Sequence, residues 1–252
     1  MPSRTYIHKD ARQAMGFKAF KDRLTLVLCD NAAGHMIKPG VIYRACTPRP
    51  LKNKSKESFP VFWQHNRKAW MTAILFLEWL QQCFIPEVKS YLRAKGLPFK
   101  ALLIDNATGH PQAACAADEN VEVAFLPTNS TPLLQPLDRG IVKCVKATYT
   151  RLTFQRIRDA LDANPHLSVT QSWKSFSIAD AIILIAEAVQ AIKHSSVNAC
   201  RRPLWRNVVN DFKGFPSTDT DLENIRNIAV EIGREGFSDM VEGDLREHLE
   251  DH

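Results

Sequence analysis

Two short apolar runs, residues 101–104 (ALLI) and 121–126 (VEVAFL), constrain the fold of this chain more than any other feature. Both have the length and composition of buried strands. The stretch between them is too long for a hairpin turn, and residues 112–117 within it read as a small helix. A strand–helix–strand unit of this kind predicts a parallel pair, because the chain must cross over before it can run in the same direction again. An α/β fold follows, with a sheet flanked by helices.

The chain on either side extends that frame. Residues 24–29 and 41–43 read as two strands joined by a long hairpin connection, with Asn31, Gly34, Pro39 and Gly40 as its turn residues. Thr72 suits the cap of a helix whose apolar positions are Ile74, Leu77, Leu80 and Phe84. Pro86 predicts a kink there, after which Val88, Tyr91 and Leu92 carry the apolar face on to Gly96. Beyond residue 126, Pro136 suits the first position of another helix, with Asp138 in its first turn, where the dipole favours an acid. Gly140 leaves that turn uncrowded, open to approach by another group. Ile141, Val145, Tyr149 and Leu152 give this helix an apolar stripe, with Lys143, Lys146, Arg151, Arg156 and Arg158 elsewhere around it.

Later features carry less chemistry. Asp180, Glu187 and His194 read as the solvated face of a helix with apolar Ile182, Ile185 and Val189. Trp173, Phe176 and Trp205 read as core, and one or two short helices are expected after Asp219. Residues 1–160 form the α/β unit on this reading, and 161–252 a helical extension with an acidic tail.

Charge is distributed unevenly. The first hundred residues carry a net charge of about +12, against +6 for the whole chain, so the remainder is net acidic. Arg44, Arg49, Lys52, Lys54 and Lys56, followed by Arg67 and Lys68, form a basic belt suited to phosphates, or else simply a solvated face. No apolar stretch is long enough to span a bilayer, and no zinc-type or CxxC pairing occurs among the six cysteines, which read as reduced thiols. Phosphate-binding loops, nucleophile elbows and dinucleotide fingerprints are absent from the sequence.

Two near-identical hexapeptides, DNAAGH from Asp30 and DNATGH from Asp105, each follow an apolar run. An aspartate at a strand end can present a carboxylate to a metal or can open a polar turn. Asp105 at one strand end and Asp138 at the helix start after the next strand suit two-metal phosphoryl transfer. That chemistry needs carboxylates fixed on rigid elements, and magnesium accepts few protein oxygens besides water. His110, just after Gly109, is a reserve for the same site, although a polar turn suits it as well.

LLIDNATGHP, FLPTNSTPLLQPLDRG and KAWMTAILFLEWL together resemble the DDE-type transposases of the Tigger/pogo group, relatives of the jerky proteins and centromere protein B. MPSRTY, TPRPLKN and EGDLREHLEDH extend the resemblance over nearly the whole chain. It implies a ribonuclease-H-like mixed sheet, a DNA substrate, Mg²⁺ or Mn²⁺, and residence in the nucleus. Asp105 matches the second catalytic acid and Asp138 the third. Arg44, Arg49, Lys52, Lys54, Lys56, Arg139, Lys143 and Lys146 become the candidate DNA contacts. Glu187 is a second reserve, since a late helix contributes a carboxylate in some proteins of this fold class.

The family's first acid lies on a strand upstream of the segment matching MPSRTY. The expectation is therefore a truncated product or an incomplete reading frame, a sheet without its first strand, and a DNA-binding domain with an incomplete triad. An active metal-dependent transposase or endonuclease, or a module for binding nuclear proteins, are the alternatives. Asp30 does not fill the gap. In the implied fold its strand runs antiparallel to the one ending in Asp105, so Asp30 falls at the opposite end of the sheet and serves the turn.

Overall fold

The structure is a computed structural model, and it describes residues 23–105, 111, 118–127, 135, 137–202, 204, 218–233, 237 and 242–250. The expected hairpin is present. β1 (Thr25–Val27) pairs antiparallel with β2 (Gly40–Tyr43), aligning Thr25 with Ile42 and Val27 with Gly40. A single bridge between Asp30 and Met36 extends it towards the turn. β3 (Phe62–His65), which the sequence pattern did not reveal, runs parallel to β2.

Every residue of β2 is buried, as in strands covered on both faces. One cover is a long helical segment. It comprises α1 (Ala73–Trp79), a π turn (Leu80–Phe84) and α2 (Ile85–Ala94). Thr72 caps α1 as expected, its side chain accepting from the Leu75 N–H. The kink expected at Pro86 is replaced by the π turn. The Ile85 N–H reaches back to the Leu80 carbonyl, and the proline then sits in the first turn of α2, where no donor is needed. α2 closes with Leu97 and Gly96 donating to the Leu92 and Arg93 carbonyls.

β4 (Ala101–Asp105) and β5 (Val121–Phe125) form the predicted parallel pair, Ala101 opposite Val121 and Asp105 opposite Phe125. The expected small helix between them, at 112–117, lies outside the described residues. Among the described residues the strands make two sheets, β1–β2–β3 and β4–β5, so β1 pairs only with β2 and β4 only with β5. Ala101 and Val121 share a core with Ile37 and Cys29 beside the hairpin turn, together with Phe76, Trp79, Leu80 and Phe84 of the helical segment. The N-terminal ends of β4 and β5 therefore lie by the turn. Asp105 is carried about 13 Å further along the strand.

The second cover comes from the C-terminal half. A helical turn (Leu137–Ile141) leads into α3 (Val142–Ala163), followed by α4 (Val169–Ser175), α5 (Ile178–Gln190), α6 (His194–Arg201), α7 (Thr218–Ile232) and α8 (Glu242–Glu250). Ile182, Ile185 and Ala186 of α5 pack on Val41, Tyr43 and Trp63 of the sheet. The expected stripe on α3 is real: Ile141 and Val145 join Val189 and Val197, with Leu152 against them. A second stripe, Ala147, Phe154 and Ile157, was not evident from that pattern. It meets Leu222, Ile225, Ala229, Leu245 and Leu249, so α7 and α8 bury α3 from its other side. Trp173 packs against this cluster and Phe176 against Trp173, while Trp205 lies outside the described residues.

Two glycines mark close approaches. Gly34 in the hairpin turn has φ +84°, and a Cβ there would lie 2.7 Å from the His194 Cα at the start of α6. Gly140, φ +155°, breaks the turn before α3, and a Cβ would meet the Cys200 sulfur at 3.3 Å. The space expected to be open at Gly140 is thus where α6 approaches.

Candidate functional site

The basic belt is built by the β2–β3 crossover. Leu51, Phe59 and Val61 are buried and tie this connection into the core shared with α5. Between and beside these anchors Arg44, Arg49, Lys52, Lys54 and Lys56 are all exposed. Two short 3₁₀ turns, Arg49–Leu51 and Lys56–Ser58, keep the segment compact. The Trp63 indole N–H donates to the Cys46 carbonyl at 3.0 Å, fixing the first half of the connection to β3. Lys56 donates to the Cys46 sulfur at 3.4 Å; with the Thr47 hydroxyl, this holds the exposed thiol below its usual range.

The end of β3 adds to the same edge. Asn66 donates its N–H to the Tyr43 carbonyl, so Arg44 and Arg67 both follow just past the paired ends of the parallel strands β2 and β3. Asn66 then organises a turn. Its Oδ1 accepts from the Lys68 and Trp70 N–H groups at 3.1 and 3.0 Å, and its Nδ2 donates to the Trp70 carbonyl. Arg67, Lys68 and Trp70 are exposed. From Arg44 to Trp70 the chain holds seven Lys and Arg and one acid, Glu57. The contribution of β3 to this edge was invisible in the pattern of FWQH, although the polar turn NRKA ahead of Trp70 was a usable signal.

The carboxylates lie on different elements. Asp105 ends β4, and the Asp138 backbone lies in the turn before α3. Their side chains, with those of Arg139 and His110, lie outside the described residues. Among the described residues no group of three or more His, Cys, Asp or Glu is placed to hold a metal ion.

Asp30 has a different environment. Its Oδ1 pairs with Arg201 at the end of α6, and the same guanidinium donates to the Asn31 carbonyl. Both side chains are only 7% exposed. Burial pushes the Asp30 carboxyl up to about 6, the Arg201 charge offsetting part of that effect. The turn itself is served by Asn31, whose Oδ1 accepts from Ala33 and His35. The expectation that Asp30 serves the turn is therefore corrected: its carboxylate anchors α6 to the hairpin. Nothing local announced this partner, 171 residues away. A cavity of about 490 Å³ opens at this hairpin end, bordered by His35, Glu87 and His194.

Several cations on α3 are engaged within the fold. Lys146 donates to the Leu249 carbonyl at 3.5 Å, Arg158 pairs with Glu231 at 2.7 Å, and Arg156 pairs with Asp180. Asp180, expected on a solvated face, instead accepts from the Ser177 N–H and hydroxyl in a capping box, which keeps its carboxyl ionised below the usual range despite partial burial. Glu187 is exposed on α5 as expected, whereas His194 belongs to the next helix, α6.

Residues 21–200 match the family model described as DDE superfamily endonuclease. Jerky protein of Mus musculus is 33% identical over 196 residues, covering 76% of this chain and 32% of that protein. Jerky protein homolog of Homo sapiens is 30% identical over 212 residues (82% and 35%), and human Tigger transposable element-derived protein 7 is 28% identical over 221 residues (81% and 40%). The chain thus spans about a third of the length of these curated relatives. No solved structure matches it. With the family model covering most of its length, the chain belongs to the DDE superfamily endonucleases, among the relatives of Jerky and Tigger transposable element-derived proteins.

Proposed function

We propose that this chain is a nuclear, transposase-derived domain that binds DNA through the basic edge of its sheet and does not cleave it unaided. One observation carries the reading: the seven Lys and Arg from Arg44 to Lys68 are all exposed, five on a β2–β3 connection anchored in the core and two in the turn after β3. A row of this kind suits a phosphate backbone, whose binding energy comes largely from counterion release. Arg139, Lys143 and Lys146 extend the proposed contact surface. Lys146 would have to exchange its bond to the Leu249 carbonyl for a phosphate.

The family resemblance supplies two acids within these residues, Asp105 and Asp138. Hard carboxylate oxygens fit Mg²⁺ or Mn²⁺, and when bound such an ion would polarise a phosphodiester and activate its attacking oxygen. Asp105 and Asp138 would hold it, with His110 and Glu187 in reserve. Asp30 offers no third ligand, because its carboxylate is buried against Arg201. The ribonuclease-H-like arrangement belongs to the same proposal, with β1 and β4 as neighbours of a central strand.

Fluorescence anisotropy with a labelled duplex, in Mg²⁺ and in EDTA, tests this reading. Binding in both conditions without nicking of a supercoiled plasmid supports it. Nicking that requires Mg²⁺ and is lost in Asp105→Ala would replace it by an active endonuclease, and no DNA binding at all would leave a protein-interaction module.

A further inference from the structure

Trp70 is a large apolar side chain that the fold turns outwards, at 52% exposure, from a turn built to hold it there. Its neighbour Ala69 is buried at 1% and has φ +52°, a conformation a residue with a Cβ adopts only when its surroundings impose it. The surroundings do so from two sides. Thr25 of β1 donates its hydroxyl to the Ala69 carbonyl at 2.7 Å, and the Ala69 N–H donates to the Asn66 carbonyl at 2.9 Å. Asn66 then holds both polar backbone groups of Trp70. The backbone that presents the indole is therefore held by the turn.

What surrounds the indole identifies what it suits. The Lys68 ammonium lies 5.5 Å from the ring centroid, with Arg67 exposed next to it. An aromatic face among cations fits an unstacked base flanked by phosphates. We propose that Trp70 is a stacking platform for a nucleobase of single-stranded DNA, with Arg67 and Lys68 holding the adjoining phosphates. This rests on the DNA-binding reading above and assigns the edge a preference for unpaired over duplex DNA.

The test measures affinity of the whole chain for a labelled oligo(dT) and for a duplex of equal length, in wild type, Trp70→Ala, Trp70→Phe and Ile74→Ser. Trp70→Ala is expected to weaken oligo(dT) binding roughly 5- to 150-fold, the range that base–aromatic stacking supplies. Trp70→Phe should keep most of that affinity, and duplex binding should change by less than about twofold. Ile74, the second residue of α1 and 78% exposed, is the control for an apolar protein-docking patch. Ile74→Ser should leave oligo(dT) binding intact. Equal losses on both DNAs, an equal loss in Ile74→Ser, or none in Trp70→Ala while wild type binds DNA would each overturn the stacking role alone. If wild type binds neither DNA, the DNA-binding reading fails with it.

Discussion

Asp30 and Arg201, 171 residues apart, form a buried ion pair that fastens the β1–β2 hairpin to the end of α6. The second oxygen of Asp30 is buried with no hydrogen-bond partner among the described residues, so the pair is held by a single charged contact. Removing Arg201 leaves an uncompensated buried carboxylate. Arg201→Met is expected to destabilise the protein by about 3–5 kcal/mol in urea unfolding, and Asp30→Asn, which keeps an acceptor oxygen but leaves the buried Arg201 charge unneutralised, should destabilise it as well.

The same carboxyl gives a pH signature. Its folded pKa of about 6 lies above the unfolded value, so the folded state binds more protons between about pH 4 and 6. Stability contributed by Asp30 is therefore present below pH 4, falls as pH rises through this window and is flat above it. The difference from Asp30→Asn should change by on the order of 3 kcal/mol across the window. A rise in that difference with pH would mean that the Arg201 charge outweighs burial.

Gly34 is a test of how closely the turn and α6 approach. Its φ of +84° is costly for alanine, and the new Cβ would meet backbone, the His194 Cα, at 2.7 Å. Gly34→Ala should cost about 1–3 kcal/mol or more by denaturant titration. An unchanged midpoint would show that the turn does not pack on α6 in this way.

How far the sequence disclosed this structure depends on the range of each signal. The β4–β5 parallel pair, the Thr72 cap and the first stripe of α3 follow local periodicity or capping chemistry, and all three are present. β3 escaped because its four residues lack alternation, and the second α3 stripe escaped because only the α7 and α8 contacts make it a face. The partnership of the two aspartate hexapeptides with their surroundings divides along the same line. Asp105 at a strand end was legible from LLID, whereas the partner of Asp30 comes from the far end of the chain. The cations were legible as charge, but the anchoring of their connection by Leu51, Phe59 and Val61 was not.

Thiol chemistry should separate the cysteines. Cys46 is exposed, and its bonds to Thr47 and Lys56 favour the thiolate, while burial pushes the Cys29 and Cys83 thiols up to about 12. In the native protein an aromatic disulfide reagent should therefore label Cys46 ahead of Cys29 and Cys83, as read by peptide mass mapping, and Lys56→Ala should slow it. Faster labelling of Cys29 would indicate that the hairpin core opens.

The acidic C-terminal helices are expected to matter through packing more than through charge. Ile225 is fully buried against α3, so Ile225→Ala should cost about 2–5 kcal/mol. The Arg158–Glu231 pair lies at the surface, and Glu231→Gln should change stability far less than Ile225→Ala. Thermal and urea unfolding of the two variants checks the order.

The salt dependence of duplex DNA binding tests the proposed DNA-binding edge most directly. The slope of log K against log salt should be steep for the wild type. It should become shallower by roughly 2–3 when Lys52, Lys54 and Lys56 are all replaced by alanine, about 0.9 for each phosphate contact removed. An unchanged slope in that triple variant, with DNA binding intact, would place the DNA elsewhere on the protein and contradict the assignment of this edge.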